Sequence, residues 1–279
     1  MTGGDRIGCF RGRVALVTGA SSGIGRALAS RLARAGMRVA LVARRREALE
    51  ALASEIAREG GDACAFPCDV ESAPEVAATV RAATDRFGGV DLLVNNAGYG
   101  HHRAFLDWDI DDMERMMRVN FFGALRFTKA LLPGMVARGR GSLVFVASVA
   151  GKIATPEESA YCASKFAMIG LAQSLSLEVE DAGVHVLVVC PGVVRTPFFD
   201  EEALSRMPPV SRRSMREVDG LVDAIVDALI RRKREVTYPR SIAAGYLVQA
   251  IAPEFMRRQV KRTTLTALGP SPKRPEPSR

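Results

Sequence analysis

Short apolar runs alternate along the chain with stretches in which apolar residues recur every three or four positions. Val14-Ala15-Leu16-Val17 is followed by a helical pattern that sets Ile24, Leu28 and Leu32 on one face and closes at Gly36. A second run, Met37 to Ala43, precedes a helix with Leu49, Leu52 and Ile56 inward, ending at Gly60-Gly61. The third, Ala63 to Phe66, reaches Asp69-Val70, and its helix groups Val76, Val80, Ala83 and Phe87 before Gly88-Gly89. Val90 to Val94 runs into Asn95-Asn96-Ala97-Gly98, Leu143 to Val146 ends at Ser148, and Val184 to Val189 ends at Pro191-Gly192. After a helical stretch from Val218 to Ile230, Glu235 to Tyr238 is the seventh run. Strands this continuously apolar are covered on both faces, and strands alternating with helices pair in parallel. The pattern predicts an α/β fold, a single doubly wound domain with a seven-stranded parallel sheet flanked by helices. Its ligand crevice belongs at the carboxyl ends of the strands.

Composition adds limits. With 279 residues, 48% hydrophobic and 25% charged, the chain has the balance of a globular protein with one substantial core. No run of 18 apolar residues exists; the longest candidate, Val184 to Val194, is broken by His185 and Pro191. The first strand begins near Arg13, without room for a targeting segment before it, so the expected location is cytoplasmic. Cys9, Cys64, Cys68, Cys162 and Cys190 follow neither a disulfide framework nor a zinc spacing, and no metal site is expected. The net charge of +8 is concentrated at the end, where residues 257–279 hold seven basic side chains against Glu276. No helix-turn-helix, zinc-finger or aromatic stacking pattern accompanies that tail, so a nucleic-acid partner is not expected.

The unusual residues cluster where the strands end. Thr18 to Gly25 reads Gly-x-x-x-Gly-x-Gly between the first strand and a helix, a turn that brings backbone N–H groups to an anionic pyrophosphate. At the end of the second strand Ala43 precedes Arg44, Arg45 and Arg46, where a carboxylate would select an unphosphorylated ribose. A guanidinium fits a 2′-phosphate, so NADP(H) is the expected cofactor and Arg44 the expected contact. Tyr161 and Lys165 stand four apart, on one face of a helix with about 6 Å of rise between them. A cation beside a phenol favours the phenolate and moves its pKa down from about 10, which suits general acid and base chemistry.

Thr18 to Gly25, Asn95 to Gly98, Ser148, Tyr161-x-x-x-Lys165 and Pro191-Gly192 resemble, in order and spacing, the short-chain dehydrogenase/reductase family. The likeness covers roughly residues 10 to 238 and includes 3-oxoacyl reductase and steroid-dehydrogenase-like members. It implies a Rossmann domain and an oxidoreductase. By that resemblance Tyr161 exchanges a proton with the substrate oxygen, and Lys165 holds the nicotinamide ribose and lowers the tyrosine's pKa. Ser148 then hydrogen-bonds the carbonyl oxygen, and Asn120 supports a relay water through its helix. Gly19, Ser21, Ser22, Gly23, Ile24 and Gly25 line the pyrophosphate and ribose; Asp69 and Val70 meet the adenine. Asn96, Ala97 and Gly98 lie by the adenine-side ribose, and Pro191, Gly192, Val194 and Thr196 by the carboxamide.

The chain divides, on this reading, into a catalytic domain at 1–240 with a substrate lid at about 197–217, an amphipathic extension at 241–268 and a disordered tail at 269–279. Phe198, Phe199, Met207 and Met215 make the lid apolar, which suits a ketone with apolar bulk. His101 and His102 border the pocket entrance, and His185 is a core or edge residue. The expected activity is NADPH-dependent reduction of an apolar ketone or 3-oxoacyl compound. The alternatives are oxidation of a secondary alcohol or hydroxysteroid at the same site, and a non-catalytic NADP(H)-sensing protein. A homo-oligomer, dimer or tetramer, is expected. For the extension, packing within the protein or a dimer is favoured over contact with a membrane surface.

Overall fold

The protein is described by a computed structural model, which covers residues 10–199, 201, 204, 207 and 209–268; the expected disordered tail lies outside them. Seven strands form one sheet: β1 (Val14–Thr18), β2 (Arg38–Ala43), β3 (Asp62–Pro67), β4 (Leu92–Asn95), β5 (Gly141–Val146), β6 (Val184–Pro191) and β7 (Glu235–Tyr238). Their order is β3-β2-β1-β4-β5-β6-β7, and every neighbouring pair runs parallel. In chain order the helices are α1 (Gly23–Arg34), α2 (Arg46–Arg58), α3 (Ala73–Phe87), α4 (Ile110–Met117), α5 (Gly123–Ala137) and α6 (Ser159–Val179). The short α7 (Pro209–Arg213), then α8 (Val218–Ile230), α9 (Ala243–Ile251) and α10 (Pro253–Leu268) complete them.

Successive strand residues point to opposite faces, and this alternation divides the interior into two cores. On one face Ala15, Val17, Val39, Leu41, Val144 and Leu187 pack against Leu28 and Leu32 of α1, Leu49 and Leu52 of α2 and Ile225 of α8. On the other, Leu16, Ala40, Leu93, Phe145 and Val186 meet Val76 and Ala83 of α3, Phe127 and Met135 of α5 and Met168 of α6. The edge strands differ from the sequence expectation. Every residue of β3 and β7 is only half-buried, because an edge strand has a neighbour on one side alone.

Helix ends follow local chemistry. Ser72 caps α3 by accepting from the Glu75 amide at 3.3 Å, and Gly88, at φ 80°, ends the helix in the left-handed region. The strands extend past their apolar runs in a way that matters for function. β1 includes Thr18, β4 includes Asn95 and β6 includes Pro191, so residues of the polar clusters sit on rigid strand ends rather than on free loops.

Candidate active site

The strand order reverses between β1 and β4, and a crevice opens where their carboxyl ends separate. Thr18 holds that junction together. Its hydroxyl donates to the Val94 carbonyl at 3.1 Å and accepts from the amides of Asn96 (2.9 Å) and Ala97 (3.1 Å). Asn96 Nδ2 reaches back to the Thr18 carbonyl at 3.0 Å, so the glycine turn and the Asn-Asn-Ala-Gly segment form one braced unit. Gly19 turns at φ 68°, and a Cβ there would stand 2.7 Å from Asn96 Nδ2. Gly25 is tighter still, with a Cβ only 2.4 Å from the Gly19 carbonyl oxygen, so only glycine fits.

These residues suit a dinucleotide. Ser22 stands at the N-cap of α1 without a side-chain cap bond, and the first turn carries no acid. The amides there are left for an anion, which the helix dipole also favours. A cleft of about 870 Å³ runs from this turn past the ends of β2, β4, β5 and β6. Gly19, Ser21, Ser22, Gly23, Ile24, Arg44, Asp69, Val70, Asn96, Ala97, Gly98, Pro191, Gly192, Val194 and Thr196 all line it. Arg45 lines it as well and donates to Ser21 Oγ at 3.1 Å, which ties the basic corner to the glycine turn.

Farther along the cleft, Ser148, Tyr161 and Lys165 converge. Ser148 follows β5 by two residues and caps a 3-10 turn, its hydroxyl accepting from the Ala150 amide at 3.1 Å. Tyr161 and Lys165 occupy adjacent turns of α6, with the ammonium 5.6 Å from the phenol ring centre. Lys165 Nζ donates to the Val146 carbonyl at 2.9 Å. Burial pulls its pKa down to about 8. Burial pushes the Tyr161 phenol well above its ordinary range, the Ser148 hydroxyl pulls it back, and the Glu158 carboxylate raises it. The expected lowering of the tyrosine's pKa by Lys165 does not prevail: desolvation is the largest cause of the shift and raises it.

Asn120 and Gly25 do not line the cleft. Gly25 packs beneath the turn it permits, with its first neighbours Gly19 and Asn96. Asn120 is fully buried in a π-helical turn, Arg118–Phe122, that links α4 to α5. Its side chain accepts from the Tyr99 amide at 3.0 Å and donates to the Tyr99 carbonyl at 2.9 Å and to Ser164 Oγ at 3.0 Å. Ser164 in turn donates to the Tyr161 carbonyl at 2.7 Å. Asn120 thus ties the segment after β4 to α6, and Ser164 is a positioning residue that the pattern alone did not single out. A π turn leaves carbonyls out of helical register, as many functional sites require.

The substrate half of the cleft mixes apolar and charged groups. Phe198 packs 5.7 Å from the Tyr161 ring, centre to centre, and Trp108, Phe199 and Met207 join it. His101 and His102 reach the lining as expected. His102 Nε2 lies 3.5 Å from Glu158, which also accepts from the Thr155 hydroxyl. Sequence patterns missed Arg45, Arg115, Glu158 and Thr264 in the lining; none belongs to a recognisable spacing, and a run of three arginines was the only hint of Arg45. His185 is buried in β6, its Nε2 2.8 Å from the Lys233 carbonyl. Of the expected lid, Asp200, Glu202, Ala203, Ser205, Arg206 and Pro208 lie outside the described residues.

The chain is similar to known proteins. The family model for short chain dehydrogenases matches residues 13–206. A fatty acyl-CoA reductase from Acinetobacter baylyi is 36% identical over 251 residues, 88% of this chain and 82% of that protein. A metagenomic short-chain oxidoreductase solved with NADP superimposes with a TM-score of 0.70 at 33% identity, over 81% of this chain and 96% of the other. A Burkholderia phymatum short chain dehydrogenase/reductase solved with NAD gives 0.80 at 27% identity, over 88% and 95%. With its parallel sheet, glycine turn and convergent Ser148, Tyr161 and Lys165, the chain belongs to the short-chain dehydrogenase/reductase family of nicotinamide-dependent oxidoreductases.

Proposed function

We propose that the protein is an NADPH-dependent carbonyl reductase acting on a ketone or 3-oxoacyl compound with apolar bulk. The observation that carries this reading is the convergence of Ser148, Tyr161 and Lys165 in the cleft that the glycine turn opens. When bound, the nicotinamide cofactor supplies the hydride. Ser148 donates a hydrogen bond to the carbonyl oxygen, and Tyr161 delivers a proton to that oxygen as its π pair becomes an O–H bond. A phenol that burial keeps protonated is the acid this direction requires. Lys165, with a pKa near 8, stays charged at neutral pH and favours the phenolate left behind. Asn120 positions both the segment after β4 and the turn of α6 that carries Tyr161. Phe198, Phe199 and Met207, in the expected lid at 197–217, give the substrate half apolar walls that exclude water. The name of the Acinetobacter relative is consistent with a substrate carrying an acyl chain. Optical monitoring of NADPH across a panel of ketones and acyl thioesters tests the reading, and silence across the whole panel would defeat it.

Arg44 and Arg45 support the choice of NADP(H). Both line the cleft at the end of β2, and Arg45 is held toward the turn through Ser21. Arg44→Ala and Arg45→Ala are each expected to lower the NADPH over NADH affinity ratio by about tenfold, the worth of one charge-assisted hydrogen bond. Titration of both cofactors by fluorescence measures the ratio; if neither variant changes it, the two guanidiniums do not read the 2′-phosphate.

A homo-oligomer built on α6 fits the surface. That helix leaves Phe166 and Leu177 exposed, and Phe122 and Val136 are exposed on the helical stretch that precedes it in the chain. Large apolar side chains left exposed in this way gain from burial in an interface. Light scattering of the full chain should return at least a dimer mass, and Leu177→Lys should shift it toward the monomer.

A further inference from the structure

The helices α9 and α10 have two unlike faces. Their inner side is docked on the catalytic domain. Ile242, just before α9, lies so close to Gly192 that a Cβ on that glycine would meet it at 2.6 Å. Gly245 packs toward Ile153 and Met256, and the ring of Tyr246 stacks 4.7 Å below Lys152 Nζ. Thr264 of α10 reaches the lining of the catalytic cleft. On the outer side Leu247, Ile251 and Phe255 are 63%, 75% and 55% exposed, too much for residues of this size without a partner. Leu247 and Ile251 are one helical turn apart, and Phe255 follows directly across the α9–α10 joint. Arg257, Arg258 and Lys261 are exposed immediately beyond them, and Glu254 is the only acid in either helix.

We propose that this outer face binds an anionic lipid surface, lying on it rather than crossing it. Three exposed apolar side chains bordered by cations match the chemistry of a headgroup layer over acyl chains. Among the described residues no helix is long and apolar enough to cross a membrane. A second copy of the chain fits worse, because a twofold contact would bring Arg258 and Lys261 of both chains into one interface, where the single acid of each, Glu254, is already paired with Arg257 at 3.0 Å. A nucleic acid would bind the cations but gain nothing from an aliphatic centre. The exposed apolar trio Phe105, Leu106 and Ile110 adjoins the cleft through Trp108, so more than one border of the substrate cleft is apolar. Docking through α10 would hold the cleft mouth at the lipid boundary, where apolar carbonyl compounds concentrate. That last consequence rests on the carbonyl-reductase reading; the lipid contact itself does not.

Co-sedimentation of the full chain with vesicles of phosphatidylcholine alone, or with about a third phosphatidylserine, tests the proposal. The wild type should partition at least about tenfold more onto the anionic vesicles, and high salt should release it. Leu247→Ser, Ile251→Ser and Phe255→Ser combined should abolish the partition while NADPH binding persists. Should that variant fail to fold, Arg258→Glu with Lys261→Glu must lose the preference for anionic vesicles. Absence of wild-type partition, equal partition of wild type and both variants, or a fall in solution mass of the serine variant without any vesicle binding would each overturn the proposal. The last result would assign the face to a second copy. Because the readout needs no turnover, lack of any ketone substrate leaves this test intact.

Discussion

Tyr161→Phe should lower turnover by about a thousandfold, the usual worth of a positioned proton donor, while leaving cofactor binding and the fold in place. The substitution removes one oxygen. The ring that packs against Phe198 and Gly100 stays, so the wall of the cleft is retained. Removing the hydroxyl also relieves a desolvated phenol, so the melting temperature should not fall. Steady-state rates with NADPH and the best ketone, beside cofactor fluorescence titration, separate the two properties. A variant that keeps more than about a tenth of wild-type turnover would show that Tyr161 is not the donor. A variant that also loses NADPH binding would show that the hydroxyl serves the cofactor instead.

Lys165→Met should remove activity and change the pH dependence of stability in a predictable direction. Lys165 is 4% exposed, and burial pulls its pKa from 10.5 down to about 8. A depressed lysine pKa means that the folded protein holds the proton less well than the unfolded chain. Below pH 8 both states are charged and the full burial cost is present; between pH 8 and about 10 the folded state sheds the proton first and stability rises. At 1.36 kcal/mol per unit this rise is about 3 kcal/mol. Above about pH 10 the sign reverses, because the buried Tyr161 phenol stays protonated when the unfolded one ionises. Urea unfolding of wild type and Lys165→Met at pH 7, 8, 9 and 10 measures the difference. Relative to the variant the wild type should gain stability across the window, because the buried Cys68, Cys162 and Cys190 thiols, whose pKa values are raised, lower the stability of both proteins alike above about pH 9. Parallel curves for the two proteins would mean that Lys165 is hydrated in solution rather than desolvated. At neutral pH the variant also leaves the Val146 carbonyl without its 2.9 Å donor, a loss of about 1–3 kcal/mol that offsets much of the relief.

Both results turn on burial, which is where sequence and structure part company. The seven strands, their parallel pairing and the position of each polar cluster at a strand end were legible because they arise from near neighbours in the chain. Continuous apolar runs, glycines at turns and the four-residue step from Tyr161 to Lys165 are all local. The extra ladder residues Thr18 and Asn95 were less visible, since a polar side chain hides a strand position whose backbone is paired across the sheet. Asn120 was identified by position, yet its partners Tyr99 and Ser164 lie 21 and 44 residues away, and only packing brings them together. Nothing in the run of arginines showed that Arg45 bonds Ser21, because that contact depends on how α2 starts relative to the glycine turn.

From the chain alone one could read a doubly wound parallel sheet, a turn suited to pyrophosphate and a tyrosine and lysine placed for proton transfer, because each depends on spacing within a single element or its cap. Folding decided how acidic those two groups are, which carboxylate and histidine stand beside them, and that α10 returns to the cleft while α9 and Phe255 keep an apolar face outward. The physical reason is that desolvation and charge act through space, and residues as far apart as Ser148 and Thr264 become neighbours only when the sheet and its flanking helices close around the same crevice.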